Sequence, residues 1–406
     1  MTKRLIIITQ WFDPEPTSKG LYFACELKKL GFGVEVITGF PNYPGGDIYP
    51  GYKLKFIQRE VLKDILVTRI PLYPSHGKSI IGRILNYISF SLSIITYGMF
   101  LTKKADILYV YHPPLTVGIA ACFIKLFRNV PIVYDIQDIW PDSLRATGVI
   151  KNRYVLDFIS FLCNRVYKQV NSIVVLSPGF KNLLIQRGVP ERKISIIYNW
   201  TNEELIKSSN IFYPTEFPKN DCIKIMFAGN IGKAQALESI IDVASLLKNK
   251  LPHVCFIILG SGVELINLKN YAFSKKTDNV LFLPPVSMSR VNDFLQSADI
   301  LLVHLKTDPL FKITIPSKTQ AYMAAGKPIL MAVEGDASRL VEIAKCGLVA
   351  KSEVPEDIAH TVEKFVALDQ DHLNRLGLNG MIYYRNHLSS AVGVRQFADI
   401  FFLLAK

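Results

Sequence analysis

The sequence predicts an α/β protein built from two doubly wound domains. Three observations carry this. Apolar, β-branched runs alternate with helical periodicity through both halves. The alternation breaks once, at residues 201–222. Glycine-rich turns directly follow strand-like runs. With 406 residues the chain is long enough for two domains of roughly 200 each.

The first half reads LIIIT (5–9), VEVIT (34–38), ILYVY (107–111), IVYDI (132–136) and SIVVL (172–176) as strands. Helical periodicity fills Gly20–Leu30, Thr116–Phe127 and Tyr154–Gln169. Continuous apolar strands separated by helices predict a parallel sheet covered on both faces. Residues 39–60, containing GFPNYPGGDIYPGY, hold too many Gly, Pro and Asn for regular structure and read as a long surface loop. Segment 201–222 is polar, contains proline and lacks periodicity, so it reads as a linker. Strands then recur at 223–229, 254–260, 280–284, 299–303, 328–332 and 347–350. Helices fall at 235–249, 263–275, 288–297, after Pro316, and at 355–368, 372–386 and 390–404. Ligands of such sheets bind beyond the carboxyl ends of the strands, so chemistry is expected there.

Composition narrows the function. Half the residues are hydrophobic and 20% are charged, which excludes a disordered chain. A mean hydropathy of +0.24 points toward contact with lipid. The net charge is +13 and sits almost wholly in residues 1–200, which hold 25 Lys and Arg against 13 Asp and Glu. That half is built to meet an anionic surface, either membrane or nucleic acid. The basic residues are dispersed without a recognised aromatic module, which argues against nucleic acid. Six cysteines are scattered without metal-ligand spacing, and the first residues lead into a strand without a signal-peptide pattern. The expectation is a reducing cytoplasm.

One segment resembles a membrane element. Residues 84–102, ILNYISFSLSIITYGMFLT, carry no charge and are flanked by Lys78, Arg83, Lys103 and Lys104. The run contains Asn86 and several serines, and strands on both sides must join one sheet. It therefore reads as a helix lying in the membrane interface, with Phe90, Ile94 and Phe100 toward lipid, rather than as a span. A core-facing helix is the plainer alternative.

The motifs sit where the fold asks for them. Strand 223–228 ends in Gly229-Asn230-Ile231-Gly232-Lys233 before a helix. Such glycines let backbone N–H groups approach an anion, and Lys233 adds a full charge. The next strand ends in Gly260-Ser261-Gly262. The segment TIPSKTQAYMAAGKP (314–328) starts a helix at Pro316, with Ser317 as cap or oxygen ligand and Lys318 at the positive end of the dipole. In the first half, TSKG (17–20) follows strand one. Asp138 in DIQDIWPD follows a strand as a base for an acceptor hydroxyl, or as a cap or ion-pair partner. His112 in YHPP follows another strand, where a lone histidine is more often structural. Asp369-Gln370-Asp371 reads as a helix start rather than a metal site. No GxGxxG follows strand one and no GxxxxGK[ST], HExxH or GxSxG appears, which argues against dinucleotide, P-loop, zincin and serine-hydrolase chemistry.

The order GNIGKAQ, LGSG, PSKTQAYMAAGKPIL resembles that of GT-B glycosyltransferases of family 4. Within them it is similar to the O-antigen and capsule branch that includes L-fucosamine (L-FucNAc) transferases. TQWFDPEPTSKG, ITGFPNYPGG, YDIQDIWPDSL and LSPGFKNLL…IIYNW extend the resemblance over essentially the whole chain. It implies an α/β GT-B fold, with two Rossmann-like domains facing a cleft. Residues 1–200 would take the acceptor at the membrane, 201–222 would link, 223–386 would hold the nucleotide sugar, and 387–406 would pack back on the first domain. It implies catalytic work by Asp138, Lys233 and Lys318. Donor binding falls to Gly229, Asn230, Gly232, Gly260, Ser261, Gly262, Ser317 and Gln320. The acceptor side falls to Ser18, Lys19, Gly20 and His112. The expected partners are a UDP-linked sugar, a polyprenyl-diphosphate-linked sugar acceptor and an anionic membrane surface. The implied place is the inner face of the cell membrane, with no metal or other cofactor. Many relatives carry two glutamates where this chain has Ile313 and Ala321, so its contacts to the donor sugar must differ. A nucleotide-sugar epimerase on the same fold and a non-catalytic nucleotide- or membrane-binding protein are the competing readings.

Overall fold

The structure, a computed structural model, describes residues 2–75, 80–100, 104–206, 213–218 and 222–405. The chain forms two compact units. One holds residues 1–176, 180–198 and those from Gly393 onward; the other holds 177–179 and 199–392.

The first unit is an eight-stranded sheet. Its strands are β1 (Arg4–Ile8), β2 (Gly33–Gly39), β3 (Gln58–Leu62), β4 (Ile65–Ile70), β5 (Ile107–His112), β6 (Ile132–Ile136), β7 (Ser172–Val175) and β8 (Ile194–Ile196). They lie in the order β3-β4-β2-β1-β5-β6-β7-β8. All pairs are parallel except β3–β4, and β1 is central, with Ile6 opposite Glu35 and Leu108. β5 and β6 are buried along their whole length, which is why their sequences read as unbroken apolar runs. The helices are α1 (Leu21–Lys29), α2 (Ile80–Phe100), α3 (Leu115–Arg128), α4 (Asp142–Ala146), α5 (Arg153–Gln169) and α6 (Pro178–Gln186). The hairpin β3–β4 was not foreseen. Its turn residues Lys63 and Asp64 have φ of 45° and 63°, so two ordinary side chains take the left-handed positions that Asn-Gly usually marks. The long loop after β2 accordingly ends at residue 57.

Helix α2 has two unlike faces. Phe90, Ile94, Tyr97 and Gly98 are buried. A Cβ on Gly98 would lie 2.3 Å from Ile124 Cδ1, so this glycine lets α2 lie against α3. Ile81, Ile84, Leu85, Ile88, Leu92 and Phe100 face outward and are exposed. This corrects the sequence reading for Phe90 and Ile94, which are fully enclosed core residues; only Phe100 of the three faces out. Residues 101 and 102 of the segment, and the flanking Lys78 and Lys103, lie outside the described residues.

The second unit is a six-stranded, all-parallel sheet. Its strands are β9 (Ile223–Asn230), β10 (Val254–Ser261), β11 (Val280–Leu283), β12 (Ile300–His304), β13 (Ile329–Ala332) and β14 (Gly347–Val349). The order β11-β10-β9-β12-β13-β14 reverses direction between β9 and β12, which is the switch point where ligands of doubly wound sheets bind. Around it run α7 (Glu203–Ile206), α8 (Glu238–Leu247), α9 (Leu265–Ser274), α10 (Met288–Ser297), α11 (Pro309–Lys312), α12 (Ser317–Ala325), α13 (Asp336–Ala344), α14 (Pro355–Val366) and α15 (Gln370–Tyr383). Ile225, Phe227, Ile240, Ile258, Leu302 and Phe365 belong to its core. Asp369 caps α15, its Oδ1 accepting from His372 N–H at 2.8 Å, as the helix-start reading requires.

The last helix, α16 (Ser390–Leu404), carries the chain back to the first unit. Phe397 packs edge-on against Phe23 and Tyr109, with ring centroids 5.2 and 5.5 Å apart.

Candidate active site

The expected phosphate turns meet at the carboxyl end of β9. β9 and β10 stay paired to their ends, with Gly229 opposite Gly260 and Asn230 opposite Ser261. Gly229 has φ +132° and Gly260 +148°, and a Cβ on Gly260 would lie 1.9 Å from the Gly229 carbonyl oxygen. Only glycine suits either place. The turn is laced down by three backbone contacts. Ile231 N–H donates to the Ser261 carbonyl at 2.8 Å, Glu264 N–H to the Ile231 carbonyl at 3.1 Å, and Gly232 N–H to Gln235 Oε1 at 3.0 Å. Gly229, Asn230, Ser261, Gly262 and Lys233 are exposed on this rim and Gly232 is half-buried.

Lys318 reaches the same turn from α12. A Cβ on Gly229 would lie 2.7 Å from Lys318 Cε and 3.2 Å from its Nζ, so Gly229 also makes room for the lysine. The ammonium lies over the Phe227 ring, 3.5 Å from its centroid. Such a contact offsets only part of an ammonium's lost hydration, about 1–2 kcal/mol. Among the described residues Lys318 has no carboxylate partner. Burial alone pushes its pKa down to about 7. Helix α12 begins behind Pro316 with no side-chain cap, which leaves the positive end of its dipole, one turn that includes Lys318, without a side-chain acceptor. A half-buried ammonium without a counter-ion, beside an open helix N-terminus and a glycine turn, is suited to receive a diphosphate.

Three residues that sequence reasoning passed over hold this geometry. The Tyr322 hydroxyl accepts from Ala228 N–H at 3.0 Å and so ties α12 to the end of β9. His304 Nδ1 lies 2.6 Å from the Gln235 carbonyl and its Nε2 accepts from Glu353 N–H at 3.3 Å, which assigns the proton to Nδ1. Burial lowers its pKa, so it serves as a neutral strut. Gln235 bridges the turn itself. Tyr322 sits five residues past Ser317 on the motif helix, and Gln235 lies inside GNIGKAQ, so both could have been singled out.

One donor-side expectation needs correction, and one of the two roles open to Ser317 is removed. Gln320 is buried, with its amide nitrogen directed at the Pro316 and Ser317 carbonyls of its own helix, so it packs the helix instead of facing a ligand. Ser317 does not cap α12; it is exposed at the first helical position. Ile313 ends α11 and Ala321 lies on α12, both half-buried.

In the first unit the expected acceptor residues separate. Lys19 is enclosed in the core, its Nζ 2.6 Å from Asp135 Oδ2 and 4.9 Å from the Phe397 ring centroid. The Tyr109 hydroxyl donates to the same carboxylate at 2.6 Å, and Gln137 Nε2 to Asp135 Oδ1 at 2.8 Å. Burial lowers the Lys19 pKa against the pull of Asp135. This corrects its acceptor reading: the charge is consumed inside the fold. Gly20 is buried beside Asp13, whose Oδ2 accepts from Leu21 N–H at 2.6 Å; a Cβ on Gly20 would strike that oxygen. Ser18 and Asp138 are exposed, after β1 and β6. His112 is buried edge-on to Tyr134 and Trp140, at 5.7 and 5.4 Å. Burial pushes its pKa down to about 3, so it is uncharged at neutral pH.

Comparison with known proteins agrees with this architecture. The model "Glycosyl transferase 4-like domain" matches residues 21–200 and "Glycosyl transferases group 1" matches 210–381. The chain is a glycosyltransferase of the GT-B fold, with a family 4-like first domain and a group 1 second domain. It is 24% identical to a probable glycosyltransferase, WbjE, of Pseudomonas aeruginosa, over 65% of this chain and 66% of that one. It is 25% identical to a putative colanic acid biosynthesis glycosyl transferase, WcaI, of Escherichia coli, over 80% and 81%. Sucrose-phosphate synthase from Thermosynechococcus elongatus superposes with TM-score 0.72 at 13% identity over 99% of both chains. Anabaena HepE in complex with UDP-glucose does so with TM-score 0.69 at 15% identity, over 98% and 99%. Likeness at such identity concerns the fold alone.

Proposed function

We propose that the protein transfers a sugar from a UDP-linked donor to a lipid-linked sugar acceptor, during surface polysaccharide assembly at the cytoplasmic face of the membrane. The observation that carries the reading is the unpaired Lys318 ammonium between the Gly229 turn and the open N-terminus of α12. The donor diphosphate would lie there. As the sugar leaves, negative charge grows on the departing phosphate, and a fixed ammonium with aligned amide dipoles stabilises it most at that moment. Lys233, exposed on the same turn, would add a second positive charge beside the diphosphate. Asp138 would act on the acceptor hydroxyl as base. No metal is invoked in this scheme. A deoxyamino sugar such as L-FucNAc is the donor to try first, on the resemblance of the motifs. The similarity to WcaI, a putative colanic acid biosynthesis glycosyl transferase, supports a polysaccharide role.

The membrane part rests on unit one. Ile81, Leu85, Ile88 and Leu92 of α2, Phe123, Leu126 and Phe127 of α3, and Phe158 and Phe161 of α5 are all exposed, and α3 packs on both α2 and α5. An apolar face of this extent on a domain carrying the chain's excess positive charge suits an anionic lipid surface.

The test is a donor screen in EDTA and detergent. UDP-, GDP- and dTDP-sugars would be offered with undecaprenyl-diphosphate-linked N-acetylsugars, and transfer followed by mass spectrometry. Transfer from a UDP-sugar supports the proposal; transfer only after metal is restored, or binding without transfer to any acceptor, overturns it.

A further inference from the structure

The inner face of α2 carries a residue that packing alone does not require. Asn86 is fully buried, at 0% exposure, at helical spacing of four and eight from the buried Phe90 and Ile94. A buried carboxamide is tolerated because it is hydrogen-bonded, and here every bond leads to the carboxyl edge of the sheet. Asn86 Oδ1 accepts from Nε2 of Gln10, two residues beyond β1. Its Nδ2 donates to Asn42 Oδ1, in the loop after β2, at 3.2 Å and to the Tyr73 carbonyl at 2.7 Å. Asn42 and Tyr43 in turn donate their N–H groups to Glu15 Oε1, each at 2.8 Å, and Glu15 Oε2 accepts from Phe12 N–H at 3.2 Å. One set of hydrogen bonds thus runs from the second turn of α2 into both loops that follow β1 and β2. The opposite face of the same helical turns is exposed and apolar, with Leu85, Ile88 and Leu92. Gln10 Oε1, closed off from solvent, receives no hydrogen bond from the described residues, so the link has one bond still to make.

Resting on the reading of α2 as a lipid-facing helix, we infer that Asn86 is a positioning residue: it transmits the seating of α2 on a membrane to the loops of Phe12–Glu15 and Asn42–Tyr43. These loops then take their working geometry at the lipid surface rather than in solution. A leucine at 86 would fill the space but cut the connection, so packing and coupling can be separated.

The experiment is amide hydrogen exchange on the full chain, with and without vesicles of phosphatidylglycerol and phosphatidylethanolamine, read at Phe12, Asn42 and Tyr43. Co-sedimentation is measured on the same samples. In the wild type, vesicles should slow exchange at these amides at least about threefold. Asn86→Leu should sediment equally well while its amides no longer respond. A merely structural role would move both states of the variant together and leave the vesicle-dependent difference intact. If Asn86→Leu does not fold, Asn42→Ala, which cuts the branch to the loop after β2, should abolish the vesicle response at Tyr43. Vesicle binding without any change at these amides in the wild type, or an unchanged response in the variants, overturns the inference. Failure of the wild type to sediment with vesicles is a different result: it removes the lipid-facing reading, and the inference falls with it.

Discussion

Lys318 sets a pH dependence that can be worked out in advance. In the free protein its pKa stands at about 7, against 10.5 for an ordinary lysine, because burial disfavours the charged form. The unfolded chain therefore holds a proton between pH 7 and 10.5 that the folded chain has lost, so this group makes the folded protein more stable as pH rises through that window. Ligand binding reverses the sign. A diphosphate against Nζ favours the ammonium and lifts its pKa, so binding takes up a proton wherever the free lysine is neutral. UDP affinity should then be greatest at or below pH 7 and fall above it. From a free pKa of about 7 and a bound value restored to the ordinary range, the Kd should weaken about 15-fold between pH 7 and 8.5. Titration calorimetry in two buffers of different ionisation enthalpy reads both quantities. At pH 8.5 it should count nearly one proton taken up per UDP. Lys318→Arg should bind with no such slope, because guanidinium stays charged, and Lys318→Met should bind weakly and without proton uptake. A Kd flat from pH 7 to 8.5 in the wild type, or an equal slope in Lys318→Met, refutes the assignment.

Three further outcomes follow from the same structure. Gly229→Ala places a Cβ 2.7 Å from Lys318 Cε at φ +132°; the strained turn should lower stability by about 1–3 kcal/mol, and UDP binding should weaken as Lys318 is displaced, which thermal melting and calorimetry read separately. Lys19→Met leaves the buried Asp135 charge unpaired and should lose about 3–5 kcal/mol of stability in denaturant titration; adding Asp135→Asn should recover a large part of it, and a neutral single variant would contradict the paired-core reading. Phe90→Ala should cost about 3–5 kcal/mol as a core truncation, whereas serines at exposed Ile81, Leu85 and Leu92 should leave stability intact and reduce sedimentation with vesicles.

How far the sequence disclosed this fold depends on which signal each residue carries. LIIIT and IVYDI announce central parallel strands because both of their faces are covered. Hairpin β3–β4 stayed hidden because QREVL is a half-exposed edge strand and Lys63-Asp64 lacks the glycine that marks such turns. The glycines at 229 and 260 were legible, since few positions besides a ligand turn need Gly directly after an apolar strand. Lys19 and Gln320 were not, because sequence does not say whether a polar side chain turns outward or inward. In α2 the large apolar residues occupy every face and small polar ones are interspersed among them, so its periodicity could not separate Phe90 and Ile94 from Leu85 and Leu92. Asn86 marks the inner face there, and it first read only as an argument against a membrane span.

The most direct measurement is a crystal structure with UDP bound. The expected result is a β-phosphate within hydrogen-bond distance of Lys318 Nζ and of the first amides of α12, beside Gly229. A diphosphate ordered anywhere else, with Lys318 still lying over Phe227 and touching no phosphate oxygen, would contradict the proposed site.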